Sequence, residues 1–143
     1  MSLSINIRHY QPQDKLALSQ LFLQTRIESW SWLDASQWTL QDFEASTQDE
    51  LILVAEYGQQ YLGFAAVFLP DNFLHHLFVA PQFQNLGVGS ALLIAAEKHF
   101  TTTGNLKCLS ENHAAQRFYI KHAWQVVDSG KCAEGDYVLM AKG

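Results

Sequence analysis

Residues 75–93 read HHLFVAPQFQNLGVGSALL. An apolar run ends at Pro81, a polar turn follows, and two glycines, Gly87 and Gly89, stand where a helical pattern begins. The first turn of a helix has unpaired N–H groups and the positive end of the helix dipole, which together suit a phosphate. Glycines there either let an anion approach the backbone or allow a tight turn and close packing. Two of them at this position favour an anion site.

Two common phosphate-binding motifs do not fit this segment. A dinucleotide-binding turn needs G-x-G-x-x-G/A, but the residue three after Gly89 is Leu92. A P-loop needs a Lys directly after its last glycine, and the segment contains neither Lys nor Arg. Both motifs are therefore excluded as the explanation of the glycine pair.

The remaining patterns predict alternating strands and helices. Strands are predicted at 4–10, 50–57, 61–69, 71–81, 106–110, 124–130 and 136–142. Helices are predicted at 12–30, 39–47, 87–100 and 111–123, with Thr39 capping the second. The order β-α-α-β-β-β-α-β-α-β-β predicts an α+β (mixed α/β) fold with helices around one sheet, as a single domain spanning 1–143.

The distribution of charge limits the classes of function. The net charge is -5, and the interval between Arg26 and Lys98 contains nine acids and no basic residue. Proteins that bind nucleic acid need a basic stripe, so no nucleic-acid partner is expected. A solvated acidic surface explains most of these acids, and some of them would attract a cationic substrate such as an amine.

Neither a membrane span nor a secretion signal is expected. The longest apolar run, 62–69, is far shorter than the roughly 20 residues that cross a bilayer. The first ten residues lack the charged and apolar regions of a signal peptide. Cys108 and Cys132 lie far apart without a metal-type pairing, which predicts reduced thiols and a cytoplasmic location.

Two motifs together resemble those of the GNAT acetyltransferase superfamily. The segment QNLGVG, 84–89, resembles its [QR]-x-x-G-x-[GA] pyrophosphate motif, and the preceding LFVAP resembles the strand before that motif. The segment 112–124 is similar to the family's N-x-x-A-x-x-F-Y-x-x-x-G-F. The matching positions are Asn112, Ala115, Phe118 and Tyr119. The family's Gly-Phe ending is Ala-Trp here, and the pyrophosphate segment lacks the basic residue that the family commonly has.

The resemblance implies a central mixed sheet of about six to seven strands, flanked by about four helices. It also implies direct transfer of an acetyl group from acetyl-CoA to an amine, without a metal. The cofactor would lie in a V-shaped gap between two parallel strands, ending at Val79 and near Ser110. The implied cofactor-binding residues are Leu77, Phe78, Val79, Gln84, Asn85, Leu86, Gly87, Val88, Gly89, Ser90 and Asn112.

The resemblance also suggests the proton-transfer groups. Tyr119 occupies the position whose hydroxyl acts as general acid on the leaving thiolate, although its helical spacing alone would predict a core residue. His75 stands four residues before Val79, a spacing at which arylalkylamine acetyltransferases carry a histidine base. Adjacent residues of a strand point to opposite faces, so His75 and His76 are not expected to form a metal pair. Glu56, Ser110 and Glu111 remain open as alternative bases.

Substrate recognition in this family involves the loop between the first two helices. Here that loop contains Trp30, Trp32 and Asp34, which would suit a cation with an apolar body: a small-molecule amine or a peptide amine. The alternative is a catalytically idle acyl-CoA-binding module that senses or regulates. A toxin-like enzyme that acetylates charged tRNA conflicts with the acidic surface. Exposed strand edges would allow a homodimer.

Overall fold

Seven strands and four α-helices make up residues 4–143, the part of the chain that the computed structural model describes. The strands are β1 (Asn6–His9), β2 (Leu51–Tyr57), β3 (Gln60–Phe68), β4 (Phe73–Val79), β5 (Gly104–Leu109), β6 (Gln125–Cys132) and β7 (Gly135–Lys142). The helices are α1 (Lys15–Ser29), α2 (Asp42–Ser46), α3 (Val88–Glu97) and α4 (His113–Lys121). This order confirms the predicted succession of elements and the mixed α+β class.

The seven strands form one sheet in the order β1-β2-β3-β4-β5-β7-β6, in which β4 and β5 are parallel and the other five pairs antiparallel. Strands β4 and β5 pair only where Phe73 faces Asn105 and Leu74 faces Leu106. Beyond Leu74, β4 remains paired with β3 as far as Val79, while β5 remains paired with β7. The two parallel strands therefore separate, and the predicted V-shaped gap opens between their carboxyl ends.

Helices cover both faces of the sheet, which explains why β3 is apolar at nearly every position. The core on the face of α1 and α2 consists of Leu18, Phe22, Phe43, Ile52, Val54, Phe64, Ala66 and Phe78. The core on the face of α3 and α4 includes Leu62, Leu74, Leu92, Leu93, Leu106, Tyr119, Trp124 and Met140. The gap between β4 and β5 thus opens between two packed layers.

Some helix boundaries differ from the predicted ones. Helix α2 begins at Asp42, and the Thr39 N–H donates to Asp42 Oδ2 at 2.9 Å, so the prediction that Thr39 caps this helix was wrong. Helix α3 ends at Glu97, before the predicted end at Phe100. Leu16, near the start of α1, is 64% exposed and lies outside the inner face of the helix. The inner face of α1 is instead made by residues that include Leu18 and Phe22.

A buried carboxylate ties the start of α1 to the edge of the sheet. The Asp14 side chain is 0% exposed and accepts hydrogen bonds from both terminal nitrogens of Arg8 at 2.9 Å. It also accepts from the Tyr61 hydroxyl at 2.6 Å and from the Gln11 N–H at 2.7 Å. The Arg8 guanidinium, followed by the hydrogen bonds of Tyr61 and Gln11, holds the pKa of Asp14 well below its usual range against the opposing effect of burial.

Replacement of Asp14 by Asn is expected to lower the free energy of unfolding at neutral pH by about 2–3 kcal/mol, because Arg8 and Tyr61 lose a charged acceptor. A lowered pKa stabilises the fold above the unfolded-state value of about 3.9 and ceases to do so as the pH falls through the folded-state value. The difference between wild type and variant in urea unfolding should therefore shrink below about pH 4. Asp71→Asn, at an exposed position, is the control. Equal stability of wild type and Asp14→Asn at neutral pH would contradict this.

Candidate active site

The gap between β4 and β5 exposes backbone groups of β4. Because β3 pairs with β4 through Val79, the N–H and C=O groups that alternate toward β5 have no β5 partner beyond Leu74. Leu77 and Val79 pack toward the α3 face, whereas Phe78 is buried on the α1 face. Three of the predicted cofactor-binding residues therefore line one side of the gap. An extended ligand there could pair with β4 as an additional strand does.

The start of α3 lies beyond the end of β4, at the mouth of this gap. Asn85 and Gly87 both have a left-handed backbone, with φ of 66° and 88°. The first hydrogen bond of the helix runs from the Ala91 N–H to the Gly87 carbonyl at 3.1 Å, which leaves the preceding N–H groups without a partner inside the helix. These N–H groups and the helix dipole form an electropositive end suited to an anion.

The two glycines of this segment have different structural roles. A Cβ on Gly87 would meet nothing within 4 Å, but its positive φ disfavours any other residue. A Cβ on Gly89 would lie 3.4 Å from the Phe118 ring and 3.7 Å from the Val79 side chain. Gly87 therefore serves the turn and leaves open space beside it, whereas Gly89 serves the packing between α3, β4 and α4.

Two polar side chains near the start of α3, Gln84 and Ser90, are already hydrogen-bonded. The Gln84 amide donates to the Val79 carbonyl at 3.1 Å, and Asn85 and Leu86 are exposed. Ser90 Oγ lies 3.0 Å from Nε2 of His122, the residue that follows α4. Nothing in the sequence pattern indicates this contact of His122. The contact was missed because it depends on how α3 and α4 pack, 32 residues apart.

Helix α4 begins with a side-chain cap and buries Tyr119. Asn112 Oδ1 accepts from the Ala115 N–H at 3.2 Å and so caps the helix. Tyr119 is 9% exposed and packs edge-on against Phe118 and Trp124. Burial, and secondarily Cys108 of β5, raises the pKa of the Tyr119 hydroxyl well above its ordinary range, so the phenol stays protonated at neutral pH. The ring thus belongs to the core that borders the gap.

A β-bulge in β4 places His75 where the sequence did not predict it. Ala66 faces His76 and Val67 faces Leu74, so His75 is an extra residue on β4. The His75 and His76 rings are stacked, with centroids 3.9 Å apart. The prediction that adjacent histidines point to opposite faces was therefore wrong, and so was the reason given against a metal pair. The alternation of side chains fails at a bulge.

His75 is paired with a buried acid. Its Nδ1 lies 2.7 Å from Oε2 of Glu50, in the turn before β2. The His75 side chain is 37% exposed, whereas that of Glu50 is 7% exposed. Sequence reasoning counted Glu50 only among the acids of the basic-free interval, because a contact across 25 residues leaves no local signal. His75 is therefore accessible and held by a carboxylate, the arrangement of an oriented imidazole.

His76 is a different kind of group. The centroid of its ring lies 5.0 Å from that of the Phe22 ring, and its Nε2 lies 3.2 Å from Ser46 Oγ. Burial and the neighbouring His75 lower the pKa of His76 to about 3, so its ring is neutral at physiological pH. His76 therefore cannot contribute a charge that switches near neutral pH.

Of the three alternative bases, Glu56 is engaged elsewhere. Its carboxylate accepts from Arg8 Nε at 2.8 Å beside β1. Ser110 follows β5 directly and Glu111 comes next, at the carboxyl end of that strand. The structure therefore leaves both near the opposite side of the gap from His75.

The loop between α1 and α2 is only partly exposed. The Trp30 ring lies 6.2 Å from Trp38 and 5.6 Å from Phe78, which joins it to the core beside β4. Trp32 is 41% exposed. Asp34 Oδ1 accepts from the Ser36 N–H at 2.9 Å, a local turn that lowers the pKa of Asp34. Of the three predicted substrate residues, Trp30 contacts the strand that lines the gap, through Phe78.

None of the helices within residues 4–143 combines the length and the apolar character that crossing a bilayer requires.

Comparison with known proteins identifies relatives over most of the chain. Residues 16–124 match the acetyltransferase (GNAT) family. A protein of Escherichia coli (strain K12), described as the uncharacterized N-acetyltransferase YafP, is 27% identical over 139 residues, covering 87% of this chain and 83% of that protein.

Solved structures with the same fold agree. A GCN5-related N-acetyltransferase from Rhodopseudomonas palustris has a TM-score of 0.84 at 19% identity, covering 100% of this chain and 98% of that one. The PaiA N-acetyltransferase from Thermoplasma acidophilum, in complex with coenzyme A, has a TM-score of 0.82 at 20% identity, covering 98% and 99%. These likenesses establish the fold, and the family match spans well over half of the chain. The chain belongs to the acetyltransferase (GNAT) family.

Proposed function

We propose that this chain transfers the acetyl group of acetyl-CoA to a primary amine of a small molecule or peptide, by direct attack in a ternary complex. The observation that carries the proposal is the gap between β4 and β5 with the electropositive start of α3 at its mouth. That combination offers an extended backbone for the pantetheine arm and free N–H groups for the pyrophosphate. The PaiA enzyme, solved with coenzyme A, has the same fold.

Backbone groups would do most of the cofactor binding. Leu77 and Val79, whose backbone groups alternate toward the gap, would hydrogen-bond the pantetheine and polarise the thioester carbonyl, whereas the backbone of Phe78 pairs with Phe64 of β3. One such N–H contributes on the order of 3 kcal/mol to oxyanion stabilisation. The pyrophosphate would be bound by the segment 84–90, with its N–H groups directed by the left-handed turn at Gly87. Asn112 caps α4 at the carboxyl end of β5 and would contact the cofactor from that side.

Cofactor binding without Lys or Arg in the segment is supported by what surrounds the start of α3. The N–H groups and the dipole supply partial positive charge. His122 lies beside Ser90 and would donate a hydrogen bond to a phosphate. Its contact with Ser90 Oγ sets which of the two ring nitrogens carries the proton. The segment then has one side-chain donor from a neighbouring helix, which the sequence pattern does not reveal.

The reaction needs a base and an acid. Glu50 would hold the His75 Nδ1–H and leave Nε2 as the basic nitrogen, which takes the proton of the amine directly or through water. The free amine attacks the thioester carbonyl, the C–S bond breaks, and the thiolate of CoA takes a proton from the Tyr119 hydroxyl. The attacking nitrogen still carries one excess proton, which is lost to solvent as the C–S bond breaks. His75 also releases its proton to solvent and Tyr119 regains one from it, so one proton is released per transfer.

The acceptor amine would enter from the side of α1 and α2. Trp30 packs beside Phe78 of β4, and the exposed Trp32 and the Asp34 carboxylate lie further along the same loop. An aromatic surface next to an anion binds an ammonium group with an apolar body. We infer that the substrate is such an amine and that the transfer itself requires no metal. We also infer that the protein acts in the cytoplasm, without a nucleic-acid or membrane partner.

A non-catalytic acyl-CoA sensor is the second candidate, and the absence of basic side chains from the segment 84–90 favours it. The two functions differ in turnover, so calorimetric titration with acetyl-CoA should be followed by a panel of amines in an assay of released CoA. Binding with turnover on at least one amine is the expected result. Binding without turnover would favour the sensor, and no binding at millimolar acetyl-CoA would overturn both.

The homodimer stays a prediction, with β6 as an exposed edge strand.

Gly87→Ala is expected to weaken acetyl-CoA binding about tenfold, because a non-glycine residue in the left-handed region costs roughly 1–2 kcal/mol and the turn would relax. Gly89→Ala adds the same methyl group in ordinary contact with Phe118, and binding should change less than about threefold. Calorimetric titration of both folded variants measures this. Equal affinities of the two variants would contradict the role given to Gly87.

A further inference from the structure

The bulge in β4 gathers three metal-ligating side chains. One ligand atom from each of Glu50, His75 and His76 lies within 4.8 Å of the other two. Glu50 comes from the turn before β2, two strands away from β4, and its carboxylate reaches the histidines across β3. Without the bulge, strand alternation would separate the two imidazoles. The local distortion of β4 is therefore what forms the cluster.

One atom of this cluster lacks a partner that its environment calls for. Glu50 Oε1 is buried and has no hydrogen-bond partner, and the whole Glu50 side chain is only 7% exposed. The other oxygen, Oε2, bonds to His75. A buried carboxylate oxygen with no donor is unfavourable and rare in folded proteins. A cation between Glu50 and the two rings would satisfy it.

We propose that Glu50, His75 and His76 bind one divalent transition-metal cation of the zinc type. Two imidazole nitrogens with one carboxylate oxygen is a ligand set that zinc takes in open sites, whereas magnesium and calcium prefer oxygen alone. His75 is exposed enough to leave a fourth position open to water. The site does not depend on the proposed acetyl transfer.

Metal binding requires a modest contraction. Ligands about 2.1 Å from a tetrahedral zinc ion lie about 3.4 Å from one another, so the side chains must close in from separations of up to 4.8 Å. His75 is the side chain with room to move, because His76 is packed against Phe22 and bonded to Ser46. The cation would replace the proton on His75 Nδ1, and the Glu50 carboxylate would turn toward it the oxygen that has no other partner, Oε1. His75 would then carry its proton on Nε2.

One consequence does rest on the proposed function. If His75 is the base, it accepts the proton of the amine through the lone pair of Nε2. A metal ion on Nδ1 and a proton on Nε2 leave the ring without a free lone pair for that proton. Zinc would then inhibit acetyl transfer at the same stoichiometry at which it binds.

The test uses the full chain in a Cys132→Ser background, stripped of metal with a chelator, because Cys132 is the more accessible of the two free thiols. Zinc chloride alone is titrated against a chromophoric zinc chelator, and cobalt chloride is used to record the visible bands that report coordination number. The expected result is one zinc per chain, no competition by magnesium, and four-coordinate cobalt bands. Glu50→Gln and His75→Gln should each weaken zinc binding by at least about tenfold.

His113→Gln, at an exposed position on α4, is the matched control and should bind zinc as the parent does. Circular dichroism verifies that each variant is folded. Absence of stoichiometric zinc binding, or binding that survives both Glu50→Gln and His75→Gln unchanged, would overturn the site. Zinc binding without inhibition of acetyl transfer would support the site and contradict His75 as the base, which separates the two proposals.

Discussion

Tyr119→Phe is expected to lower kcat for acetyl transfer by about 10²–10³-fold, while the Kd for acetyl-CoA changes by less than about twofold. The variant removes one hydroxyl from a ring that is 9% exposed and keeps its contacts with Phe118 and Trp124. Packing and cofactor binding should therefore persist. What is lost is the proton donor for the thiolate of CoA. Steady-state release of CoA and calorimetric titration measure the two quantities separately.

The raised pKa of Tyr119 does not disqualify it as an acid. Burial is its main cause, with Cys108 second, and burial disfavours any anion in the same place. A thiolate that forms beside Tyr119 meets the same low dielectric, so its own pKa rises too. The proton transfer then remains between groups whose ordinary values, about 10 and 8.5, are close.

Tyr57→Phe, on an exposed tyrosine at the end of β2, is the control and should turn over as the wild type does. If Tyr119→Phe also retains wild-type kcat, Tyr119 has only a packing role.

His75→Gln is expected to lower kcat/KM near neutral pH by about 10²-fold, because the protonated amine then lacks an acceptor for its proton. The loss should diminish as the pH approaches the pKa of the amine, about 10.4 for a lysine-like substrate, where free amine no longer needs a base. Glu50→Gln keeps a hydrogen-bond acceptor for Nδ1 but removes the charge, so a smaller loss of about tenfold is expected. The pH profile of kcat/KM separates a chemical role of His75 from a structural one.

His113→Gln serves again as the exposed histidine control, and its pH profile should match that of the wild type. A loss in His75→Gln that is equal at all pH values would indicate a structural defect and would count against His75 as the base.

Much of the fold could be predicted from the sequence because its signals are local. The segment 61–69 was predicted as a strand, and the structure places it as β3 inside the sheet. The glycine segment and the Asn112 motif each follow a strand of the parallel pair, and the family resemblance that these two motifs carry implied the gap. The Asn112 cap on α4 is equally local, because it joins residues only three apart.

Parts of the candidate site could not be predicted because they depend on register and packing. The bulge at His75 exists only relative to β3, where Ala66 and Val67 face His76 and Leu74. The Glu50 contact and the His122 contact join residues 25 and 32 apart. Thr39 failed as a cap for a local reason. Asp42, three residues further on, accepts a hydrogen bond from the Thr39 N–H, so the roles of the two residues are reversed.

The proposed direct transfer of an acetyl group from acetyl-CoA to an amine can be followed by isotope labelling. The full chain is incubated with acetyl-CoA labelled in the acetyl carbonyl and with the best amine of the panel, and mass spectrometry locates the label. All of the transferred label is expected on the amine nitrogen and none on the protein. Label on the protein, or label released as free acetate with the amine unmodified, would contradict it.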